Sequence, residues 1–314
     1  MNIVFFGSSH FAEPSLRALI AGGYKISCVV TQPDKKKGRG LVLGHTVIKE
    51  TASRARLKIL QPSNINSVDS IKALKDLSPD LLVVLAYGQI LSEDILNIPR
   101  IIPINVHGSL LPAFRGAAPI NWAIIKGEKL TGNTLMKITR KMDAGPSILQ
   151  KGREILDTDT AASLEEKLSQ DAAELLLEGL KLIEDKKYNL NPQDDNKASF
   201  APKLKKEDGL INWDNTASEI NNLIKGCYNW PGAFTYYKAK LLKIYKASPV
   251  SSDIRKHNVS PGQIIEVCKE AIVVATAGGL LRVEELQLEG KRIMKTEEFI
   301  LGHRVCIGEV LRKK

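Results

Sequence analysis

The sequence predicts an open α/β sheet domain followed by a small β-barrel, and three observations carry that reading. Short apolar runs alternate with amphipathic stretches from the start to about residue 150, the pattern of strands joined by crossover helices. The run Leu81-Leu82-Val83-Val84-Leu85 is apolar at every position, as expected of a central parallel strand covered on both faces. Beyond residue 230 the pattern changes to five brief strand-like runs separated by Gly- and Pro-bearing turns, which favours a barrel.

Taken in order, Ile3 to Phe6 reads as a strand, Gly7-Ser8-Ser9 turns the chain, and Leu16, Leu19 and Ile20 mark a helix. Further strands are expected at residues 26–30, 57–60, 81–85 and 101–106. The first turn holds one glycine between Gly7 and Ala12, where a dinucleotide fingerprint has three, which sets NAD aside. Residues 33–45, rich in Gly and Lys and without periodicity, read as a long exposed loop. Leu164, Leu168, Ala172, Leu175, Leu176 and Leu180 form a stripe that predicts one helix over residues 162–186. The polar, turn-rich stretch after it reads as a linker. A short helix at residues 220–224 then precedes strands at 233–237, 241–245, 262–267, 271–275 and 280–286. The expected division is a first domain 1–188, a linker 189–206 and a second domain 207–314.

Composition narrows the class. The 314 residues include 45 Lys and Arg against 35 Asp and Glu, for a net charge of +10, and 43% are hydrophobic. That mix excludes disordered, collagenous and coiled-coil chains. No apolar run approaches the ~18 residues of a membrane span. The opening MNIVFFGSSHFAEP lacks the basic region and cleavage site of a secretory signal. The four cysteines, Cys28, Cys227, Cys268 and Cys306, form no CxxC pair, and fit reduced thiols in the cytoplasm. Charge is concentrated between Lys35 and Lys58, where eight basic residues face only Glu50. Such a segment attracts polyanions, but charge alone leaves a solvated basic face and a nucleic-acid surface both open.

The chemistry centres on Asn105-Val106-His107. Two residues apart on a strand, Asn105 and His107 emerge on the same face, at the end of a buried strand where open α/β sheets hold ligands. Histidine carries protons near neutrality and asparagine donates without charge. A stiff loop rich in Pro, Gly and Ala follows from Ser109 to Pro119, and Lys141-Met142-Asp143-Ala144-Gly145 places a carboxylate in another tight turn. Alone, each has a plainer reading, as a packed histidine or a capping aspartate. Together Asn105, His107 and Asp143 have the parts for acyl transfer: an oxyanion donor, a proton carrier and an orienting carboxylate. No G-x-S-x-G motif is present, against a serine hydrolase. The other histidines form no ligand-spaced pair, so no metal is implied.

NVHGSLLPAFRGAAPINWAI, with AYGQIL upstream and MDAG downstream, resembles the formyltetrahydrofolate-dependent formyltransferase family. TQPDKKKGRG, FAPKLKKEDGLINW and NWPGAFT extend the likeness over nearly the whole chain and are similar to its two-domain, tRNA-directed branch. The resemblance implies a Rossmann-like open, parallel-rich sheet domain that binds 10-formyltetrahydrofolate, followed by a small OB-like β-barrel that assists tRNA binding. It implies transfer of the formyl group to the α-amine of initiator methionyl-tRNA, for translation initiation, by a cytoplasmic monomer without a metal. Residue by residue it assigns catalysis to Asn105, His107 and Asp143, folate binding to Ser109, Leu110, Leu111 and Pro112, and the tRNA acceptor end to Arg39 in the basic loop with Lys35, Lys36 and Lys37. Phe11 occupies the position of an aromatic near the methionine side chain. One departure stands out: the family continues after MDxG as LDTGD, whereas this chain reads Pro146-Ser147-Ile148-Leu149-Gln150. Two rival readings remain, a relative acting on a small acceptor or water, and a basic RNA-binding protein with a vestigial folate site. The second domain and the basic loop weigh against the first, and the intact trio against the second.

Overall fold

The computed structural model describes residues 1–37, 42–250 and 259–312. The chain folds as two compact units. The first comprises residues 1–119, 130–154 and 165–202; the second comprises 120–129, 155–164 and 203–314.

In the first unit the elements run β1 (Asn2–Gly7), α1 (Glu13–Ala21), β2 (Lys25–Val30), β3 (Lys35–Lys37), β4 (Val42–Gly44), α2 (Val47–Arg54), β5 (Ile59–Leu60), α3 (Val68–Asp76), β6 (Leu81–Leu85), α4 (Glu93–Leu96) and β7 (Ile102–His107). Past α5 (Pro119–Ile125), which but for Pro119 belongs to the second unit, come β8 (Leu130–Lys137), β9 (Ser147–Glu154) and α6 (Ala161–Glu184), whose first four residues also belong to the second unit. One seven-stranded sheet has the order β5-β2-β1-β6-β7-β8-β9. The first five strands are parallel and the last two antiparallel. Central strands β1 and β6 supply Ile3, Val4, Phe5, Phe6, Leu81, Leu82 and Val83, all without solvent exposure. Their apolar runs follow from helices covering both faces. Helices begin where a hydroxyl satisfies a free N–H: Thr46 accepts from Lys49 N before α2, and Ser67 from Ser70 N before α3.

The stripe expected on the long helix is buried in α6. That helix approaches β8 closely, because a Cβ on Gly179 would sit 2.0 Å from Leu135 Cδ2. The Leu168 carbonyl accepts from the buried Asn133 amide at 2.9 Å.

Within residues 33–45, expected to form a long exposed loop, the described residues 35–37 and 42–44 pair as antiparallel strands. Lys35 pairs with Gly44, Lys36 with Leu43 and Lys37 with Val42. The ladder satisfies backbone groups that a bare loop would leave to water. Arg39 lies outside the described residues. Strands β8 and β9 are additional to the strands expected from sequence. Their mixed composition, including Gly132, Asn133 and Gly152, conceals the alternation.

The second unit contains α7 (Ala217–Gly226), β10 (Ala233–Tyr237), β11 (Lys240–Val250), β12 (Ile264–Val267), β13 (Ile272–Thr276), β14 (Gly279–Leu288), β15 (Met294–Lys295) and α8 (Thr296–Gly302). The antiparallel order is β10-β11-β14-β13-β12, with β15 beside β14. A last segment closes it: Arg312 exchanges backbone bonds with Tyr236 at 3.0 and 3.2 Å, and Leu311 N donates to Gly262 O at 2.8 Å. Helix α7 is opened by a reciprocal Thr216–Glu219 capping box. Its Ile220 and Ile224 enter a core with Trp213, Ile244, Val274, Leu281 and Phe299. No helix among the described residues is long and apolar enough to cross a membrane.

Replacing fully buried Leu82 by Ala is expected to destabilise the sheet by about 2–5 kcal/mol, read from urea unfolding. Ile90→Ser, at a position 71% exposed, should stay within about 0.5 kcal/mol.

Candidate active site

Strand β7 carries Asn105 and His107 on one face, as their spacing predicts. Asn105 is half-buried and His107 is 7% exposed. The Asn105 side-chain amide has no hydrogen-bond partner among the described residues. His107 is held from both sides. Its Nε2 lies 2.9 Å from the Phe114 carbonyl, and its Nδ1 lies 3.6 Å from Asp143 Oδ2. A carbonyl only accepts, so the Nε2 contact requires a proton there. The Nδ1 edge is then the one turned toward the carboxylate.

Asp143 reaches this point by doubling back. Lys137, the last residue of β8, pairs with Ile104, yet Asp143 lies against His107, three residues further along β7. The turn is tight enough that a Cβ on Gly145 would fall 1.8 Å from Lys137 O. Asp143 itself is left-handed, with φ 49°, a conformation aspartate tolerates. Its Oδ2 also accepts from Gly116 N at 2.9 Å. Gly116 has φ 126°, and a Cβ there would meet Ala201 O at 2.5 Å, so only glycine fits.

The loop after β7 is fixed from beneath by β8 and β9. Thr134, opposite His107, donates through Oγ1 to Ser109 O at 2.7 Å and accepts from Leu111 N at 3.0 Å. Gln150 Nε2 donates to Leu111 O at 2.8 Å and to Thr134 Oγ1 at 2.9 Å. Ser109 Oγ donates to Ala113 O at 2.6 Å. Ser109 and Leu111 are therefore buried parts of the loop's frame, whereas Leu110 and Pro112 are half-exposed. Phe114 holds φ 59°, strained for a bulky residue. It is secured by its N–H donating to Ser199 Oγ at 2.9 Å and its carbonyl facing His107.

Sequence reasoning missed the strap that buttresses this loop, residues 191–201, which it read as part of a linker. Within the first unit, Arg115 N donates to Ser199 O at 2.8 Å, Ala201 N to Arg115 O at 2.7 Å and Ala118 N to Ala201 O at 3.1 Å. Gln193 and Asp195 bind the buried Arg115 guanidinium. Polar composition signalled a tether, but these polar groups are spent on the Arg115 side chain, the Asp143 turn and the Phe114 N–H.

Phe11 lies in the turn after β1 and is 6% exposed. In that turn Ser8 Oγ donates to Tyr87 O at 3.0 Å and accepts from Gln32 N at 3.1 Å, tying together the ends of β1, β2 and β6. Burial pushes the Tyr87 hydroxyl up to about 12, so it stays protonated. The base of the basic hairpin is clamped by Asp34, whose carboxylate meets Lys49 Nζ at 2.5 Å, His45 Nδ1 at 2.8 Å and Gln61 Nε2 at 2.8 Å. Lys49 first, then Gln61, hold it down at about 2. Lys35 is exposed. Lys36 and Lys37 lie in the same strand. Among the described residues no three His, Cys, Asp or Glu side chains group as metal ligands.

Comparison with known proteins gives the site its context. Residues 1–180 match the "Formyl transferase" family model and residues 203–304 the model of the "Formyl transferase, C-terminal domain". The methionyl-tRNA formyltransferase of Acetivibrio thermocellus is 46% identical over 311 residues, covering 99% of each chain. Among solved structures, WlaRD, a sugar 3N-formyl transferase crystallised with dTDP and 5-N-formyl-THF, superposes with a TM-score of 0.68 at 20% identity, over 93% of this chain and 99% of that one. HypX from Aquifex aeolicus in complex with tetrahydrofolic acid gives a TM-score of 0.65 at 16% identity. It is matched over 96% of this chain, which spans 47% of the HypX chain.

Asp34 supplies a pH test. Because its folded pKa is depressed, the hairpin-base contacts contribute fully above about pH 4 and are lost as pH falls toward 2. NMR titration should show its carboxyl carbon changing near pH 2, and at a higher pH in Lys49→Met, short of the ordinary aspartate value of about 3.9 because Gln61 and His45 remain.

Proposed function

We infer that this chain, which belongs to the formyl transferase family, transfers the formyl group of 10-formyltetrahydrofolate to the α-amine of methionyl-tRNA. The observation that carries this is identity of 46% along the entire length of a relative named for that reaction. WlaRD and HypX share the fold at 20% and 16% identity, too distant to assign an acceptor.

In the reading proposed for the site, amine attack on the formyl carbon develops negative charge on the formyl oxygen, and Asn105 donates to it. Its amide, unpartnered among the described residues, supports that role. One preorganised oxyanion donor contributes about 2.7–4 kcal/mol. His107 meets the reaction through its Nδ1 edge, since Phe114 engages Nε2. With Asp143 it takes up the proton released as the amine nitrogen becomes an amide, and returns a proton to the departing folate nitrogen. Ser109, Leu110, Leu111 and Pro112 form the folate-binding segment, with the backbone of Leu111 already held by Thr134 and Gln150.

The acceptor side extends outward. Lys35, Lys36, Lys37 and Arg39 grip the acceptor end of initiator tRNA, with Phe11 beside the methionine side chain. Residues 1–188, with the strap at 191–201 bonded to the loop after β7, form the catalytic domain, and 207–314 the domain that assists RNA binding. The enzyme acts as a monomer in the cytoplasm, where its four unpaired cysteines stay reduced.

With formylfolate as donor, tetrahydrofolate release is expected only with methionyl-tRNA; release with water or an amino sugar alone would overturn the acceptor assignment. In that assay Asn105→Ala should lower kcat about 10²–10³-fold with tRNA affinity unchanged, and turnover within about twofold of the parent would remove Asn105 from the oxyanion role. Replacing Lys35, Lys36 and Lys37 by Gln should reduce the slope of log affinity against log salt by about two to three, measured by filter binding. An unchanged slope removes the hairpin from the interface.

A further inference from the structure

We propose that Gln193 is a positioning residue for formyl transfer, acting through Asp143; this rests on the reading of Asp143 as part of the proton-handling pair. Gln193 Nε2 donates to two carbonyls of the Asp143 turn, Asp143 O at 2.9 Å and Gly145 O at 2.7 Å. Its Oε1 accepts twice from Arg115, from Nε at 3.0 Å and Nη2 at 2.8 Å. Arg115 is 3% exposed and sits in the loop after β7. Its Nη1 pairs with Asp195 Oδ1 at 2.8 Å, and Asp195 also holds Lys141 Nζ at 2.7 Å, on the near side of the same turn.

One planar amide therefore joins the two halves of the site: donors toward the turn that carries Asp143, an acceptor toward the loop that carries Phe114 and Gly116. Two carbonyls converging on one point need a group with two N–H bonds, and a guanidinium fork on the other side needs an acceptor. A primary carboxamide of this length supplies both. The bonds fall on the backbone of a residue at positive φ, whose side chain must stay within reach of His107 Nδ1 and Gly116 N. Gln193 thus holds the main chain of Asp143 at the angle that aims its carboxylate.

Gln193→Glu isolates the effect. It keeps length, shape and the Arg115 contact, but sets a carboxylate oxygen against two carbonyl lone pairs, so the turn must shift. A displacement near 1 Å at a catalytic group costs up to about 10²-fold. The expected result is a fall in kcat of roughly ten- to a hundredfold, with KM for both substrates within about twofold. In an Asp143→Asn background, single-turnover rates should show no further loss from Gln193→Glu, because the residue it aims is already disabled. A merely architectural role would lower the rate in both backgrounds, and that result overturns the proposal, as does a parental kcat in Gln193→Glu alone. Should Asp143→Asn itself keep full turnover, the proton-handling reading fails instead. If Gln193→Glu does not fold, Gln193→Met, of similar length and without donors, runs the same cycle.

Discussion

The arrangement of the candidate site depends on one spacing: His107 Nδ1 lies 3.6 Å from Asp143 Oδ2. Neither residue reaches that position by local preference. His107 comes from the last position of buried strand β7, and Asp143 from the turn after β8, which leaves opposite Ile104, three residues back from His107, and returns to it. Each is anchored by a second bond, to the Phe114 carbonyl and to the Gly116 N–H, and Phe114 and Gly116 are themselves at positive φ. A strained non-glycine conformation costs of order 1–3 kcal/mol. Several hydrogen bonds of about 0.5–1.5 kcal/mol each from Thr134, Gln150, Ser199 and Gln193 offset it. The rigid sheet sets the position of β7, and polar side chains from elsewhere set everything that faces it.

The two substrates call for different physics. A formyl group must be met by atoms fixed to within a fraction of an ångström, and in the proposed reading the framed loop after β7 supplies them. A tRNA is met by charge, which acts over a Debye length of roughly 10 Å and tolerates loose geometry. The basic hairpin fits the second demand in the proposed reading. Its base is clamped by the Asp34 cluster, while Lys35 stays exposed.

How much of this was legible in the sequence follows from how local each signal is. The runs that became β1, β6 and β7, the stripe on α6 and the strands of the barrel are patterns within a few residues, and they appear where expected. The shared face of Asn105 and His107 follows from strand periodicity alone. Strands β8 and β9 were not legible because Gly132 and Gly152 are there for contacts with other segments: a Cβ on Gly132 would meet Lys151 O at 2.1 Å. The hairpin at Lys35–Lys37 was hidden by lysines that carry no strand signal, and barrel closure by residues 311–312 by its length. The strap carried the opposite signal. Gln193, Asp195 and Ser199 look like solvent-facing residues because their partners, Arg115, Asp143 and Phe114, lie 50 to 85 positions away.

His107 is held through Nε2 by a backbone acceptor, which leaves Nδ1 as the edge that faces Asp143. Imidazole ¹⁵N NMR of selectively labelled protein reads this directly. Nε2 is expected to carry a proton in the free protein, with Nδ1 as the nitrogen whose shift responds to Asp143→Asn. A ring protonated at Nδ1 alone, with a bare Nε2, would break the contact with Phe114 and refute this assignment of the two ring edges.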